Sequence, residues 1–338
     1  MRFIFLLLVI FSSNEVKSSC NFSTGKFIDE MSNPSEVLKI EVIIPKASKF
    51  ALNGFRITVS ESDNILPKYK KKFKANISVH YNFGICKYKG SVRQNGDLKD
   101  HLWYGWQGNI LRSLDVKLHD GNILNAVKFK LLIPRTRNGI NEVLGTQILK
   151  RLGFITPETF EVYTVVNDVS AYMIFQEKTA KELLERNKRR EGPIFRGDES
   201  LIWSYKSFDN SELAPLSLSN LVNDGWFKKG HISRKITLKS HSLLQQAYLK
   251  NRIKRINKPG YFHIFPNKLN SRTYSDLYSI LYAMNGLHAM APNNRKHYYN
   301  SIESRFEPIY YDGDLSLTKP VFNNGAPVYK DGMLHDDY

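Results

Sequence analysis

The chain has 338 residues, 42% hydrophobic and 12% aromatic, enough to bury a large core in one or two domains and too ring-rich for a disordered chain. Its 49 Lys and Arg against 32 Asp and Glu leave a net charge of +17. That surplus favours an anionic partner without choosing among nucleotide phosphate, acidic polymer, anionic lipid and nucleic acid. Two cysteines cannot by themselves supply a structural zinc site, and no nucleic-acid reading motif accompanies the charge.

Arg2 precedes an apolar run, Phe3 to Phe11, and small polar residues follow to Ser19. That order predicts a signal peptide over 1–19, and so a secreted, periplasmic or cell-surface protein. No later segment is apolar enough to span a bilayer. Export leaves Cys20 and Cys86 open between a disulfide and free thiols.

Residues 38–59 read as strand, Asn53-Gly54 turn, strand, in LKIEVIIP and FRITVS. The basic cluster KYKKKFK (68–74) precedes an alternating run, ANISVHY; it is either a polyanion contact or a charged edge strand that discourages aggregation. YKGSVRQNGD (88–97) predicts a strand ending in a Gly turn, where Arg93 could meet a phosphate bidentately. RSLDVKL (112–118) and AVKFKLLIP (126–134) predict a hairpin about Asp120-Gly121-Asn122. Its lysines Lys117, Lys128 and Lys130 read as solvent-facing strand residues.

Apolar spacing predicts a helix over 141–152, stopped by Gly153, with Glu142 in its first turn. Residues 160–166 and 171–175 predict a hairpin around Asn167-Asp168, and 180–190 a charged helix. Residues 191–235 fit no regular element, while 242–256 and 274–290 have helical spacing. The tail from 321 is polar and Pro/Gly-bearing.

The stretch from His288 to Asp314, HAMAPNNRKHYYNSIESRFEPIYYDGD, holds an amide-rich turn, two aromatic strand-like runs and an Asp-Gly-Asp turn. It reads either as a hairpin with a solvated acidic turn or as a hard-cation site built from oxygen ligands.

VRQNGD, RSLDVKL, RTRNGINE, LKRLGFITPETFEVYTVVND, FQEK and HAMAPNNRKHYYN…PIYYDGD, in that order and spacing, resemble the CotH-type spore-coat kinase family over roughly residues 88–320. The resemblance implies an α+β, two-lobed protein-kinase-like fold. Its β-rich N-lobe would span 88–178 and its mainly helical C-lobe 179–320, preceded by a small β-rich region over 20–87 and followed by a tail over 321–338. It implies an exported atypical kinase that transfers phosphate from ATP, with Mg²⁺ or Mn²⁺, to a Ser or Thr hydroxyl of a surface protein. In that reading Lys117 holds the nucleotide phosphates with Arg112 as the alternative, and Glu142 positions the lysine. Glu177 lies near the adenine, and Arg93 contacts phosphate. Asn294 and Asp312 hold the metal, with Asp314 assisting. No Asp stands between Asp276 and Asn294 to serve as the base, so His288 takes that place, or only braces its turn. There is also no GxGxxG loop. These departures keep a second reading in play: a catalytically weak or inactive kinase-like surface protein that binds acidic polymers through its basic surface.

Overall fold

A computed structural model describes residues 19–22, 36–104, 109–197, 219–257, 268–291, 294–318, 322–323 and 326–327. The expected signal peptide, apart from Ser19, lies outside the described residues, as do 198–218 and most of the tail.

The N-terminal half of the chain forms β1 (Ser19–Phe22), β2 (Val37–Ile43), α1 (Ala47–Thr58), β3 (Phe73–Tyr81), β4 (Gly84–Gln94), β5 (Leu102–Tyr104), β6 (Ile110–Arg112), β7 (Leu114–Leu118) and β8 (Lys128–Leu132). After these come α2 (Ile140–Arg151), β9 (Thr159–Val166), β10 (Val169–Glu177), α3 (Lys181–Arg186), β11 (Ile194–Gly197) and β12 (Ser219–Leu221). The chain continues with α4 (Asp224–Lys228), α5 (His231–Asn257), α6 (Lys268–Ala283), β13 (Lys296–Asn300) and β14 (Arg305–Ile309).

The main sheet runs β4-β3-β2-β9-β10-β8-β7, and β7 pairs back onto β4, so seven strands close into a barrel. Closure is made by Gly90–Gln94 against Leu114–Leu118; the earlier part of β4 instead pairs β1, where Cys20 and Cys86 form a disulfide. All neighbours are antiparallel except β2 with β9. Alternation places Ile40, Ile77, Val79, Val92, Val116, Phe129, Leu131, Met173 and Phe175 in one buried cluster inside the barrel. Apart from β5 and β6, which pair only with each other, the strands from 37 to 177 share this one sheet, and the expected break between 87 and 88 falls within β4.

The strand expected over FRITVS is instead the end of α1. Phe50, Asn53, Gly54 and Ile57 are its buried residues, at helical spacing, so the packing of one face overrides the local β-propensity of Ile57, Thr58 and Val59. The expected helix over 274–290 divides into α6 and a 3₁₀ turn, Leu287–Met290, at Asn285, which has φ 54°. The helix expected from 242 begins earlier, at His231.

A second sheet, β12-β11-β13-β14, packs with α5 and α6 around Phe195, Leu244, Leu277, Leu281, Phe306 and Tyr310. Helix α2 joins the two layers. It sends Leu149 into this second core, and a Cβ on its Gly145 would lie 2.0 Å from Leu315 Cδ1, which shows how closely the C-terminal segment crosses it.

Candidate functional site

The register of four barrel strands sets a row of polar side chains on the outer face. Arg93 stands opposite Asp115, Asp115 opposite Lys130, and Lys130 opposite Gln176. Because Val92, Val116, Phe129 and Phe175 alternate with them and point inward, this row must point outward, toward α2 and the second sheet. Arg93 donates to Asp115 Oδ2 from Nη2 at 2.7 Å and from Nε at 3.0 Å, and Lys178 Nζ donates to the same oxygen at 2.7 Å. Burial opposes the Asp115 charge, but Lys178 and Arg93 hold its pKa below the ordinary value.

At the far end of the row, Gln176 Nε2 donates to Glu142 Oε1 at 3.1 Å, and Tyr310 Oη donates to Glu142 Oε2 at 2.8 Å. Glu142 therefore links α2, the barrel and the segment after β14, with a hydrogen bond on each oxygen. It is fully buried, and burial raises its pKa to about 7 against the favourable field of Arg137.

Asp312 follows β14 in the Asp-Gly-Asp turn, with φ 58°, and Asp314 has φ 49°. Two left-handed residues within three make a strained turn of a kind that recurs at ligand sites. Arg137, in the 3₁₀ turn Pro134–Arg137, donates from Nη2 to Asp312 Oδ2 at 2.9 Å. The other oxygen, Oδ1, is buried with no hydrogen-bond partner. Burial works against this carboxylate, yet Arg137, His288, Lys130 and Lys296 together keep its pKa below the ordinary value.

Two of those cations flank one ring. Lys296 Nζ, from β13, sits 2.8 Å from the centroid of Tyr311 and donates to Thr179 Oγ1 at 3.0 Å; Lys130 Nζ, from the barrel, is 4.9 Å from the same centroid. Both lysines keep part of their surface open while protein surrounds them. Burial and mutual repulsion with other cations push Lys130 down to about 8 and Lys296 well below an ordinary lysine. The result is a cation-lined junction between barrel and second sheet, with one incompletely paired carboxylate in it.

The residues expected from the sequence are distributed unevenly about this junction. His288 and Asn294 come together: Asn294 Nδ2 donates to the His288 carbonyl at 3.0 Å and lies 3.0 Å from its Nε2. Since the carbonyl requires a donor, the same amide nitrogen meets a ring nitrogen acting as acceptor, which leaves the ring proton on Nδ1. The ring is also near Asp312, where it favours the charged carboxylate only when it is itself protonated. Asp314 is exposed, and its carbonyl accepts from Asn138 Nδ2 at 3.2 Å.

Lys117 shares the outer face with Asp115 but is exposed and makes no ion pair with Glu142, whose oxygens are taken by Gln176 and Tyr310. Arg112 is buried over the Phe50 ring, 3.9 Å from its centroid, and donates to Gln94 Oε1 and the Phe50 carbonyl, anchoring α1 to the barrel. Glu177 is ion-paired with Arg186 and accepts from the Glu158 N–H at 3.0 Å, which ties α3 to the β9–β10 hairpin. Lys130, Arg137, Lys178, Lys296 and Tyr311 do not stand out as site residues in the sequence. Their one local signal is the alternation that turns Lys130 outward, and Lys117 and Lys128 share it.

Compared with known proteins, the chain matches no protein-family model and no curated protein sequence.

Among the described residues no three His, Cys, Asp or Glu side chains form a metal-holding group. A Mg²⁺ ion that shares its shell with phosphates and water needs only one or two protein oxygens. The buried, unpartnered Asp312 Oδ1 fits that demand. The Asn294 side-chain oxygen, Oδ1, is left out of its contacts with His288.

Proposed function

We propose that the protein is an exported, ATP-dependent phosphotransferase of the CotH-like, kinase-like kind, acting on a Ser or Thr hydroxyl of a protein. The observation that carries this reading is the meeting of Asp312, with its unused buried oxygen, and Arg137, Lys130 and Lys296 at one junction. Phosphoryl transfer asks a protein mainly for charge neutralisation and alignment, and such a cluster supplies both. Lys130 and Lys296 would hold phosphate oxygens above Tyr311. Lys130 thereby takes the place that the family resemblance implies for Lys117. Asp312 and Asn294 would hold Mg²⁺ or Mn²⁺, which when bound neutralises phosphate charge. Glu142 keeps α2 against the barrel and orients Tyr310 beside the turn, so its part is positioning. His288, next to Asn294, is the candidate base; its Nε2 must give up the Asn294 contact to accept a proton.

The test is calorimetric titration of ATP with Mg²⁺, together with transfer of label from γ-labelled ATP to the protein itself and to generic acceptors. Binding and transfer that fall in Asp312→Asn support the reading; an absence of ATP binding to the wild type overturns it.

A second reading, a kinase-like surface protein that does not turn over, is favoured by one observation. Asp312 is already paired with Arg137, and the neighbouring imidazole, His288, is engaged by Asn294. It predicts salt-sensitive binding to acidic polymers that Asp312→Asn leaves unchanged.

A further inference from the structure

The outer face of the barrel carries a second row beside the one that leads to Glu142. Lys74 stands opposite Ser91, Ser91 opposite Lys117, and Lys117 opposite Lys128, while the Lys178 N–H donates to the Lys128 carbonyl at 2.9 Å. Lys74, Lys117 and Lys128 are all exposed, and none forms an ion pair within 4.0 Å among the described residues. The neighbouring outward positions of β4 add exposed Lys87 and Lys89.

Two ordinary explanations fail for this row. A charged edge strand would account for Lys74, which pairs β4 but lies beyond the β2 pairing, yet not for Lys117, which has Ser91 on one side and Lys128 on the other, or for Lys128, which has Lys117 on one side and the Lys178 N–H on the other. Solvated lysines balanced by nearby acids would account for the rest, but those acids are committed elsewhere. Asp115 is held by Arg93 and Lys178, Asp120 accepts from the Lys89 N–H at 2.7 Å, and Asp224, whose field reaches Lys128, pairs with Lys228 at 2.6 Å. Like charges directly opposite each other, as at Lys117 and Lys128, weaken a sheet. A bound polyanion reverses that cost.

The row also has a direction. Crossing three strand intervals, Lys74 to Lys128 covers roughly 14 Å, enough for two or three same-side residues of an extended peptide. It ends at Lys178, the residue before Thr179, whose hydroxyl receives the Lys296 ammonium at the junction. No aromatic side chain is interleaved among Lys74, Ser91, Lys117 and Lys128, so there is no stacking platform for nucleic-acid bases. We infer that this lysine row is a docking strip for an extended acidic peptide segment, which leads the segment toward the junction. The identity of that segment as the flank of the phosphate acceptor rests on the proposed function; the docking itself does not.

The experiment is fluorescence anisotropy with a short, labelled, Ser-bearing Asp/Glu-rich peptide, run beside a sulfated oligosaccharide of equal charge. The proteins are the wild type, the double charge reversal Lys74→Glu/Lys128→Glu, and the charge-keeping Lys74→Arg/Lys128→Arg. The reversal is expected to weaken peptide binding by about tenfold or more, the Arg pair to retain it, and wild-type affinity to fall with added salt. ATP affinity, measured on the same samples, should not change between variants. Equal peptide affinity in wild type and reversal overturns the proposal, and so does binding of the oligosaccharide in preference to the peptide. Loss of ATP binding in every sample would instead remove the phosphotransfer reading and leave the strip standing.

Discussion

The clamp around Glu142 and the turn around Asp312 hold two carboxylates, one buried and one half-buried, at the same junction, and the fold treats them in opposite ways. Glu142 receives one hydrogen bond on each oxygen from neutral donors, and burial raises its pKa to about 7. Asp312 is ringed by Arg137, His288, Lys130 and Lys296, stays ionised more readily than an ordinary Asp, and leaves one buried oxygen without a partner. A carboxylate whose hydrogen-bonding capacity is used within the protein serves the fold. One that is kept charged, with capacity to spare, is prepared for a ligand.

The sharpest way to break this contrast is to remove each group in turn. Glu142→Ala should cost roughly 3 kcal/mol in urea denaturation, because it strands the Gln176 and Tyr310 donors and leaves a buried void. Asp312→Asn keeps an acceptor oxygen for Arg137 and should cost only about 1 kcal/mol, while the phosphoryl transfer expected on the proposed function should fall roughly 100-fold. If both substitutions act mainly on stability, or both mainly on transfer, the contrast is wrong.

pH sharpens it next. The folded-state pKa of Glu142 is raised, so its contribution to stability is full below its ordinary value of 4.5 and is lost as pH rises through about 7. The wild type should therefore lose stability relative to Glu142→Gln as pH climbs across that window. Asp312 has a lowered folded-state pKa, so its contribution is present above the ordinary 3.8 and lost as pH falls below that. Urea midpoints of the wild type and both variants across the acid-to-neutral range would show opposite slopes. The smallest effect is expected on the polar row itself. In Arg93→Ala, Lys178 still holds Asp115, and the loss should stay within about 1 kcal/mol by the same denaturation measurement.

How far this arrangement could be read from sequence depended on whether the cause was local. The hairpin turns were legible because Asn167 and Gly121 sit at φ 49° and 66°, conformations that their residue types favour. Helix α1 was not. Asn53-Gly54 has the composition of a turn, yet Gly54 is there because a Cβ would come within 2.9 Å of Arg112 Nη1, a contact from another part of the chain. Barrel closure was hidden for the same reason, since pairing β4 to β7 depends on register between separate segments. In the site, Asp312 and Asn294 stood out by residue type and turn chemistry. Lys130 could not be separated from Lys117, because both face outward and only the segment carrying Tyr311, far along the chain, covers one of them. Arg137 read as part of a lead-in to α2; its role is set by Asp312, 175 residues away.

Calorimetric titration of Mg²⁺-ATP into the wild type, Lys130→Ala, Lys117→Ala and Asp312→Asn tests the central claim most directly. The junction of Asp312 with Lys130 and Lys296 should bind the nucleotide in the wild type, with affinity falling about tenfold or more in Lys130→Ala and Asp312→Asn and holding in Lys117→Ala. An absence of binding in the wild type, or the same affinity in all four proteins, would contradict it.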